Sequence, residues 1–580
     1  MRLVKRFSEL GIADVPIVGG KNASLGAMYT ALSEEGVEGP NGFETPAEAN
    51  RDFILDNDLR ERIAGEMERL DTRNVQDLIE TGQRIRRWIL DAAIPAELAK
   101  EIAAAYRELE KEYGEGTDVA VRSSATAEDL PTASFAGQQE TYLNIRGTDN
   151  LLAACKKVFA SLFTDRAISY RADKGFTHMD VALSIGVQKM VRSDIAASGV
   201  MFSIDTETGF RDVVFITAAY GLGENVVQGS VNPDEFYVFK PTLAQGKRPI
   251  LKRQLGEKAV KMIYTDATAA GASTRNVEVP PEERARFAID DEEILELARY
   301  AVAIENHYGR PMDIEWAKDG ETGRLFIVQA RPETVESARE AGFQETYRLE
   351  SRGKVLAVGK SVGQKIAAGP ARVILNSAHM NDLKPGEVLV TDITDPDWEP
   401  VMKIASAIVT NRGGRTCHAA IVARELGIPA VVGTGEATQV LDTGADVTVS
   451  CAEGDTGYVY QGIQKFEKHA FDLSKLERPK THLMVNLANP ATAFEAARLP
   501  VEGVGLARLE FIINNSIRVH PRALLEYDGL DQATRSEIDR LSAGYPDRRT
   551  FYVERLAEGV GSIAADKRGV FVGFEIAHAH

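Results

Sequence analysis

A stretch in the second half of the chain joins a glycine pair to the start of an apolar helical pattern, and this constrains the local fold strongly. Apolar residues recur at helical spacing from Ala419 onward, so a helix is predicted to begin at His418. A helix N-terminus offers unpaired backbone N–H groups and a positive dipole end, which suit a phosphate carried on His418. A strand-turn-helix corner without a ligand fits the same spacing. The stretch reads Gly413-Gly414-Arg415-Thr416-Cys417-His418-Ala419-Ala420-Ile421-Val422-Ala423-Arg424.

Short apolar strands on either side of this corner predict a compact α/β unit. The 580-residue chain is long enough for three or four domains, each with its own core. A polar segment with several glycines precedes the unit, and a segment rich in Lys, Glu and Pro follows it. Both compositions predict linkers. The sequence thus predicts a first domain at 1–345 with two subdomains, a linker at 346–368, the α/β unit at 369–462, a linker at 463–480 and a last domain at 481–580.

Composition excludes several classes of function. A formal charge of −18 argues against a general binder of nucleic acid or anionic membranes, which needs positive potential. No apolar run approaches the roughly 20 residues that cross a bilayer, and no signal peptide is visible. The cysteines Cys155, Cys417 and Cys451 show no metal spacing and no disulfide framework. A cytoplasmic location is therefore expected, with Cys417 interpreted as packing rather than as a nucleophile.

Two polar groups in the first half follow patterns that often face a ligand crevice. Lys21 comes directly after Gly19-Gly20, without the spacing of a P-loop. A glycine turn there places a flexible ammonium near whatever the turn faces, although a surface lysine fits as well. Alternation in 118–125 predicts a strand that carries Arg122 toward its end, where ligand crevices commonly form.

The next segments predict a loop and two further strands. Small residues in 134–143, including Gly137 and Thr141, predict a loop that returns into a strand and could cover phosphates. Apolar runs at 185–191 and 198–203 predict strands that form a hairpin or lie side by side.

Residues 312–331 predict a β-hairpin with a converging polar face. Side chains alternate between the faces of a strand, so the expected register places Glu315 opposite Gln329 and Asp313 opposite Arg331. Glu315 and Gln329 supply oxygen atoms suited to Mg²⁺, and Arg331 suits phosphate or Asp313. A cross-strand pair at the surface, without ligands, is the alternative interpretation.

Together these segments resemble a known family. Residues 413–433 resemble the phosphohistidine segment of the phosphoenolpyruvate-utilising enzymes, which include phosphoenolpyruvate synthase (pyruvate, water dikinase) and its dikinase relatives. Four segments are similar, in their order along the chain and in their residues, to the family's nucleotide-binding half. They are 19–26, 119–125, 134–143 and 312–331. The resemblance implies an α/β and α+β multidomain protein with an ATP-grasp nucleotide-binding half and a swivelling phosphohistidine domain.

The family's functional residues carry over position by position. His418 matches the phosphohistidine. Thr416 matches a regulatory threonine, whose phosphorylation would put a dianion where the phosphohistidine forms. Mg²⁺ would be held by Glu315 and Gln329. The resemblance implies ATP contacts at Lys21, Arg122, Gly137, Thr141, Gln188, Glu315, Gln329 and Arg331.

Residues 483–511 resemble the opening of the family's (β/α)₈ barrel, which binds phosphoenolpyruvate, and Arg508 matches a substrate-binding arginine there. Such a barrel takes roughly 250 residues, whereas 100 residues follow Lys480. The resemblance also fades near Ala565. The sequence therefore predicts an incomplete barrel in a truncated or frameshifted chain.

The resemblance implies conversion of ATP, pyruvate and water to AMP, phosphoenolpyruvate and phosphate, with a role in gluconeogenesis. His418 would attack the β-phosphoryl group as a neutral imidazole, so the step is expected to fail as the pH falls through ~6.5. Because the barrel is incomplete, labelling of His418 is expected to survive while phosphoenolpyruvate formation is absent or very weak.

Two alternatives stay open at this point. One is a self-phosphorylating dikinase or phosphocarrier with another acceptor, and the other is a non-catalytic fragment whose unfinished barrel binds partners through unpaired strand edges. The expected partners are ATP, pyruvate or phosphoenolpyruvate, a regulatory kinase and phosphatase acting on Thr416, and a second copy of the chain in a homodimer. Neither nucleic acid nor membrane is expected.

Overall fold

The computed structural model is a mixed α/β multidomain assembly with a closed seven-stranded barrel between two other parts. We call 3–333 the N-terminal half, 355–461 the barrel and 479–575 the C-terminal segment. The structure describes residues 3–72, 74–126, 140–173, 175–265, 273–333, 343–472, 479–487, 489–565 and 574–575.

Within its described residues, the N-terminal half contains two sheets, a small ribbon and eleven α-helices. The strands are β1 (Lys5–Arg6), β2 (Gly42–Thr45), β3 (Val119–Ala125), β4 (Thr141–Ile145), β5 (Leu183–Lys189), β6 (Ala197–Phe202), β7 (Val213–Tyr220), β8 (Asp234–Phe239), β9 (Ile250–Gln254), β10 (Val260–Tyr264), β11 (Thr274–Glu278), β12 (Met312–Lys318) and β13 (Leu325–Pro332). The helices are α1 (Val15–Ala27), α2 (Ala47–Asp56), α3 (Arg60–Arg69), α4 (Val75–Asp91), α5 (Ala96–Tyr113), α6 (Thr148–Ser161), α7 (Asp165–Asp173), α8 (Glu224–Val227), α9 (Lys240–Ala244), α10 (Pro281–Arg284) and α11 (Asp291–Tyr308).

The first sheet has the strand order β1-β2-β5-β3-β4, and the second has β13-β12-β6-β7-β8-β9. The apolar faces of α2 to α6 pack on the first sheet, and α1 and α11 pack in the core of the second. Alternation in 118–125 correctly predicts β3. The runs at 185–191 and 198–203, expected as neighbours, become β5 and β6 of different sheets, because the hydrogen-bond partners of each strand come from distant parts of the chain.

Helix α1 is interrupted at Gly19, which has φ +75°. A Cβ atom at this position would lie 2.3 Å from Ser124 Oγ, so only glycine fits both the backbone angle and the close approach. The sequence predicts a glycine turn before Lys21. In the structure the turn is this break, and Lys21 lies on the helical part that follows.

The barrel is closed by seven strands in the order β15-β19-β18-β17-β16-β20-β21. Strands β16 to β19 run parallel to one another, as expected for the predicted α/β unit. The elements of this part are β14 (Phe343–Leu349), β15 (Val355–Val362), β16 (Ile366–Val373), β17 (Val388–Thr391), α12 (Glu399–Met402), β18 (Ala407–Thr410), α13 (His418–Leu426), β19 (Ala430–Val432), α14 (Ala437–Val440), β20 (Asp446–Ser450), β21 (Thr456–Gln461) and β22 (Phe466–Asp472).

Both predicted linkers contain strands, which the composition of these residues did not predict. Residues 346–368 include the end of β14, all of β15 and the start of β16, and β22 lies within 463–480. Strands β14 and β22 pair antiparallel, with Tyr347 opposite Lys468. Lys468 also forms an ion pair with Glu345 at 2.7 Å. A two-stranded ribbon exposes both faces, so its polar composition resembles that of a linker.

The C-terminal segment contains a three-stranded sheet in which β24 lies between β23 and β25 and pairs parallel with both. Strands β23 and β24 and the helix between them therefore form a βαβ unit. The elements are β23 (Met484–Leu487), α15 (Ala493–Ala496), β24 (Gly503–Arg508), α16 (Leu509–Ile512), α17 (Pro521–Leu525), α18 (Gln532–Leu541), α19 (Arg548–Ala565) and β25 (Phe574–Glu575).

Candidate active site

A cavity of about 400 Å³ opens between the two sheets of the N-terminal half and is bordered by a loop of the barrel. Strands of both sheets, the part of α1 after its break and the loop after β17 contribute to its wall. Seven of the residues predicted to contact ATP line this one cavity. They are Lys21, Arg122, Thr141, Gln188, Glu315, Gln329 and Arg331. Gly137, the eighth, lies outside the described residues.

Arg122 joins the two sheets across the cavity. Its Nη2 donates to Glu315 Oε2 at 3.0 Å, and its Nη1 donates to Val328 O at 2.8 Å and to Gln188 Oε1 at 3.2 Å. The guanidinium therefore links β3 and β5 of the first sheet to both strands of the β12–β13 hairpin. This network positions a cation and two amide or carboxylate groups within one small volume.

The β12–β13 hairpin has the register that the sequence predicts, with Glu315 opposite Gln329 and Asp313 opposite Arg331. Arg331 Nε donates to Asp313 Oδ2 at 2.8 Å. Burial raises the pKa of Asp313, and the charge of Arg331 opposes that rise. The pair is mostly buried, so the alternative of a surface pair is wrong.

Glu315 and Gln329 lie opposite each other in the hairpin and both line the cavity, and their side-chain oxygens have the hard-donor chemistry that Mg²⁺ prefers. Within the described residues, no group of three or more His, Cys, Asp or Glu side chains is arranged to hold a metal ion. The donor set therefore fits Mg²⁺ only as an ion that takes its other ligands from phosphate oxygens and water, as is usual at nucleotide sites.

His418 is the first residue of α13, as predicted, and is only 8% exposed. Its Nδ1 lies 3.2 Å from Oγ1 of Thr394, in the loop after β17. Burial, with a smaller contribution from the charge of Arg166, lowers the pKa of His418 from 6.5 to about 3. The imidazole is therefore neutral well below pH 6.5 in this arrangement, which corrects the expectation that it protonates at its ordinary pKa.

Arg166 connects the barrel to the cavity and was missed in the sequence. It lies on α7, where its Nη2 donates to Glu140 Oε1 at 2.7 Å and its Nη1 donates to Asp397 Oδ1 at 3.2 Å. Asp395 and Asp397 come from the loop after β17, and both line the cavity. No motif surrounds Arg166, so only the packing reveals its position.

Charged and polar contacts hold the barrel against the N-terminal half. We call this set of contacts the docking surface. Glu235 and Glu207 are almost fully buried in it. Asn232 Oδ1 accepts a hydrogen bond from Gly413 N at 3.1 Å, and Lys252 pairs with Asp455 at 2.6 Å. The ion pairs across the surface are Lys360–Glu235, Arg424–Glu207, Lys252–Asp455 and Arg166–Asp397.

Thr416 and Cys417 are both buried next to His418. Thr416 is 2% exposed, and its Oγ1 has no hydrogen-bond partner among the described residues. Burial raises the pKa of the Cys417 thiol, and Cys417 Cβ would lie 2.2 Å from a Cβ added at Gly229. The cysteine thus packs tightly as a thiol, in agreement with its interpretation as a packing residue.

Arg508 ends β24 and is exposed. It belongs to the parallel sheet of the C-terminal segment and does not line the ATP-site cavity. The predicted substrate arginine is therefore separate from the predicted nucleotide ligands, as two half-reactions at different sites would require.

Comparisons with known proteins agree with this division. The family model "Pyruvate phosphate dikinase, AMP/ATP-binding domain" matches residues 15–351, and "PEP-utilising enzyme, mobile domain" matches residues 383–454. The chain is thus a member of the class that combines a dikinase-type nucleotide domain with this mobile domain. Within that class, it belongs to the phosphoenolpyruvate synthase family, which confirms the resemblance found in the sequence.

The relatives that establish the family are similar along almost the whole chain. Phosphoenolpyruvate synthase of Pseudomonas aeruginosa is 58% identical over 565 residues, which is 97% of this chain and 71% of the relative. The Escherichia coli protein of the same name is 56% identical over 563 residues, with 97% and 71% covered. Within the part of the chain that the structure describes, every helix is too short or too polar to span a membrane.

Proposed function

We propose that the chain synthesises phosphoenolpyruvate from ATP, pyruvate and water, releasing AMP and phosphate, through a phosphohistidine at His418. Relatives with 56% to 58% identity carry the name of that activity. The observation that carries the proposal is the placement of His418. It lies at a helix start, buried and neutral, while Arg166 bridges its barrel to a cavity lined by the predicted ATP ligands.

The proposal includes the division of the chain into domains. Residues 1–345 form an ATP-grasp nucleotide-binding domain whose two sheets are its subdomains, and 369–462 form a swivelling phosphohistidine domain. Residues 481–580 form part of a barrel that binds pyruvate and phosphoenolpyruvate. The two sheets that enclose the cavity support the first assignment, and the charged docking surface supports the second.

In the first half-reaction, the cavity holds ATP while His418 attacks the β-phosphoryl group. Lys21, Arg122 and Arg331 offset the charge that develops on the phosphate oxygens. Glu315 and Gln329 would hold Mg²⁺, which neutralises phosphate charge when bound. The Nδ1 atom of His418 faces Thr394, so Nε2 is the atom left to attack. The bond between the α- and β-phosphoryl groups breaks, AMP leaves and His418 is pyrophosphorylated. Water then removes the terminal phosphate, and phosphohistidine remains.

In the second half-reaction, the phosphohistidine domain leaves the docking surface and donates its phosphoryl group to enolised pyruvate. Arg508 binds the substrate there. We further propose that phosphorylation of Thr416 by a regulatory kinase blocks the first step, and that a phosphatase reverses it. Thr416 is buried in the docked arrangement, so its modification requires the domain to leave the surface. A homodimer is the proposed assembly.

The test is incubation of the chain with Mg²⁺ and ATP radiolabelled in the β-phosphoryl group. Acid-labile, alkali-stable label is expected on the unchanged chain and on His469→Gln, an exposed histidine of β22, but not on His418→Gln. Pyruvate should then remove the label as phosphoenolpyruvate, in contrast to the expectation from the sequence alone that this second step is absent or very weak. Label that pyruvate never removes would favour a phosphocarrier with another acceptor, and no label on any variant would contradict the proposal.

A further inference from the structure

One face of the first sheet carries a row of polar side chains that the proposed reaction does not use. Directly opposed residues of antiparallel strands point to the same face. Ser124 of β3 is opposite Ser184 of β5, and Glu44 of β2 is opposite Gly186 of β5. Arg122 is also opposite Gly186. The row therefore begins at Arg122 in the cavity wall and continues away from it beneath α1.

These side chains form a buried chain of hydrogen bonds that ends at Asn22, next to Lys21. Asn22 Nδ2 donates to Ser184 Oγ at 2.7 Å, and Ser184 Oγ donates to Glu44 Oε2 at 2.9 Å. The backbone N–H of Asn22 donates to Ser124 Oγ at 3.3 Å. Asn22, Ser124, Ser184 and Glu44 are all almost completely buried. Asn22 is thus fixed to the sheet by both its backbone and its side chain.

Two glycines make room for this attachment. A Cβ atom at Gly186 would lie 2.3 Å from Asn22 Oδ1, and a Cβ atom at Gly19 would meet Ser124 Oγ at the same distance. Asn22 therefore fits into the space above Gly186, and the break of α1 fits over Ser124. The segment between these two contacts carries Lys21.

We propose that Asn22 is a positioning residue, and that the Glu44–Ser184–Asn22 chain fixes the segment after the α1 break so that Lys21 is held in the ATP cavity. The inference rests on the proposed role of Lys21 in binding ATP. It predicts that this row of hydrogen bonds affects ATP affinity through Lys21. None of the three hydrogen-bonded residues, Glu44, Ser184 and Asn22, is among those that line the cavity.

Glu44 has the properties of a neutral member of this chain. Burial raises the pKa of Glu44 to about 8, while Ser184 and the nearby charge of Lys5 lower it and the charge of Asp14 raises it. Its Oε1 has no hydrogen-bond partner among the described residues. A glutamine has the shape of a neutral carboxyl group, so Glu44→Gln should preserve the chain, whereas Ser184→Ala should interrupt it.

A double-mutant cycle on the full-length chain tests the proposal, with ATP dissociation constants measured by calorimetry. Lys21→Met is expected to weaken ATP binding by about tenfold or more, and Asn22→Ala by about tenfold. In the Lys21→Met background, Asn22→Ala should have almost no further effect, because the group that it positions is gone. A merely structural role would give additive losses.

The matched control is Asn50→Ala. Asn50 is also buried, and its Oδ1 accepts a hydrogen bond from Leu183 N on the same strand β5, at 3.4 Å. Asn50→Ala should lower thermal stability and leave ATP affinity unchanged. Ser184→Ala, a smaller perturbation than Asn22→Ala, should weaken ATP binding by a few fold, while Glu44→Gln retains it.

The outcomes distinguish the proposed role of Lys21 in binding ATP from the proposed role of Asn22 in positioning Lys21. If Lys21→Met leaves ATP affinity unchanged, the proposed role of Lys21 fails and the positioning role fails with it. If Lys21→Met weakens binding but the losses of the two variants add, only the positioning role of Asn22 is wrong. If Asn50→Ala weakens binding as much as Ser184→Ala, the effect is general destabilisation and the inference is overturned.

Discussion

The N-terminal half makes two large contacts, and they differ in chemistry. The docking surface with the barrel is formed by ion pairs and hydrogen bonds, and no apolar cluster of the described residues spans it. The contact with the C-terminal segment shares an apolar cluster instead. Phe494 stacks on Phe210 with ring centroids 4.8 Å apart and lies 5.8 Å from Tyr237, and Ala565 joins the same cluster. Arg253 and Glu558 add a buried ion pair at 2.7 Å.

This difference in chemistry indicates which of the two contacts could separate in each catalytic cycle. Apolar surface is stabilised only while it is kept from water, so separating the C-terminal segment would cost free energy that nothing restores. Charged groups can exchange each other for water, so a polar surface can open and close near equilibrium. The docking surface therefore has the chemistry that the proposed swivelling domain needs, and the C-terminal contact has that of a fixed support.

The largest effect is expected from reversing a buried charge in the docking surface. Glu235→Lys would place two lysines together at Lys360, and an unpaired buried charge costs about 3–5 kcal/mol. Labelling of His418 in a single turnover should fall by about a hundredfold or more. The double reversal Glu235→Lys with Lys360→Glu should recover much of the rate. Normal labelling by the single variant would show that docking does not depend on this pair.

A change of pH should weaken docking while leaving the fixed contact intact. Burial lowers the pKa of docked His418 to about 3, whereas a solvated imidazole titrates near 6.5. Docking is therefore fully favourable above pH ~6.5 and weakens about tenfold per pH unit below it, because undocked His418 binds a proton that docking must release. Fluorescence energy transfer between the barrel and the N-terminal half measures the docked fraction at each pH.

The control for the pH experiment is His418→Gln, which removes the titrating group. Its docking should lose the component of the pH dependence between ~6.5 and ~3 that comes from the histidine. Equal pH profiles for the two proteins would show that His418 does not have a different pKa in the docked and undocked states.

The fixed contact can be tested by removing its stacked ring. Phe494→Ala should lower the free energy of unfolding by about 1–3 kcal/mol, because the ring is partly buried in the shared cluster. Urea titration measures this loss. The labelling rate of His418 should not change. The control Phe511→Ala removes an exposed phenylalanine and should cost little. A large loss of labelling in Phe494→Ala would mean that the two contacts are coupled.

The smallest effect is expected from salt. Raising the ionic strength should shift docking toward separation by only a few fold, because pairs that are partly buried are screened less than exposed ones. The apolar contact of the C-terminal segment should not weaken under the same conditions. Small-angle X-ray scattering would report the expected expansion. Protection of α19 from hydrogen exchange would report the contact that stays. Expansion together with loss of that protection would contradict the inference that the docking surface separates while the apolar contact stays intact.

The parts of the site that sequence could predict are those in which neighbours along the chain are also neighbours in space. The register of Glu315 with Gln329 follows from one short turn and the alternation of side chains, and the helix start at His418 follows from a local pattern. The seven predicted ATP ligands come from five separate segments and line one cavity, and the family resemblance rather than spacing brought these segments together.

The parts that sequence could not predict depend on contacts between distant segments. Arg166 lies on a helix with no motif, and its importance comes from Asp397, which is 231 positions later in the chain. The low pKa of His418 is likewise a consequence of burial between two parts of the protein. Polar residues and glycines suggested linkers at 346–368 and 463–480, whereas the strands there pair with segments that are distant in the chain.

The ribbon of β14 and β22 gives the barrel an unusual attachment. Strand β14 precedes the barrel and strand β22 follows it, and the two pair antiparallel over seven residues each, which is about 23 Å of paired chain. Because of this pairing, the two ends of the barrel cannot move independently. A double-stranded tether of this kind would restrict the proposed swivelling motion of the barrel to an arc. The effective concentration of His418 at the ATP cavity is then set by the geometry of the tether, and it stays the same however dilute the enzyme becomes.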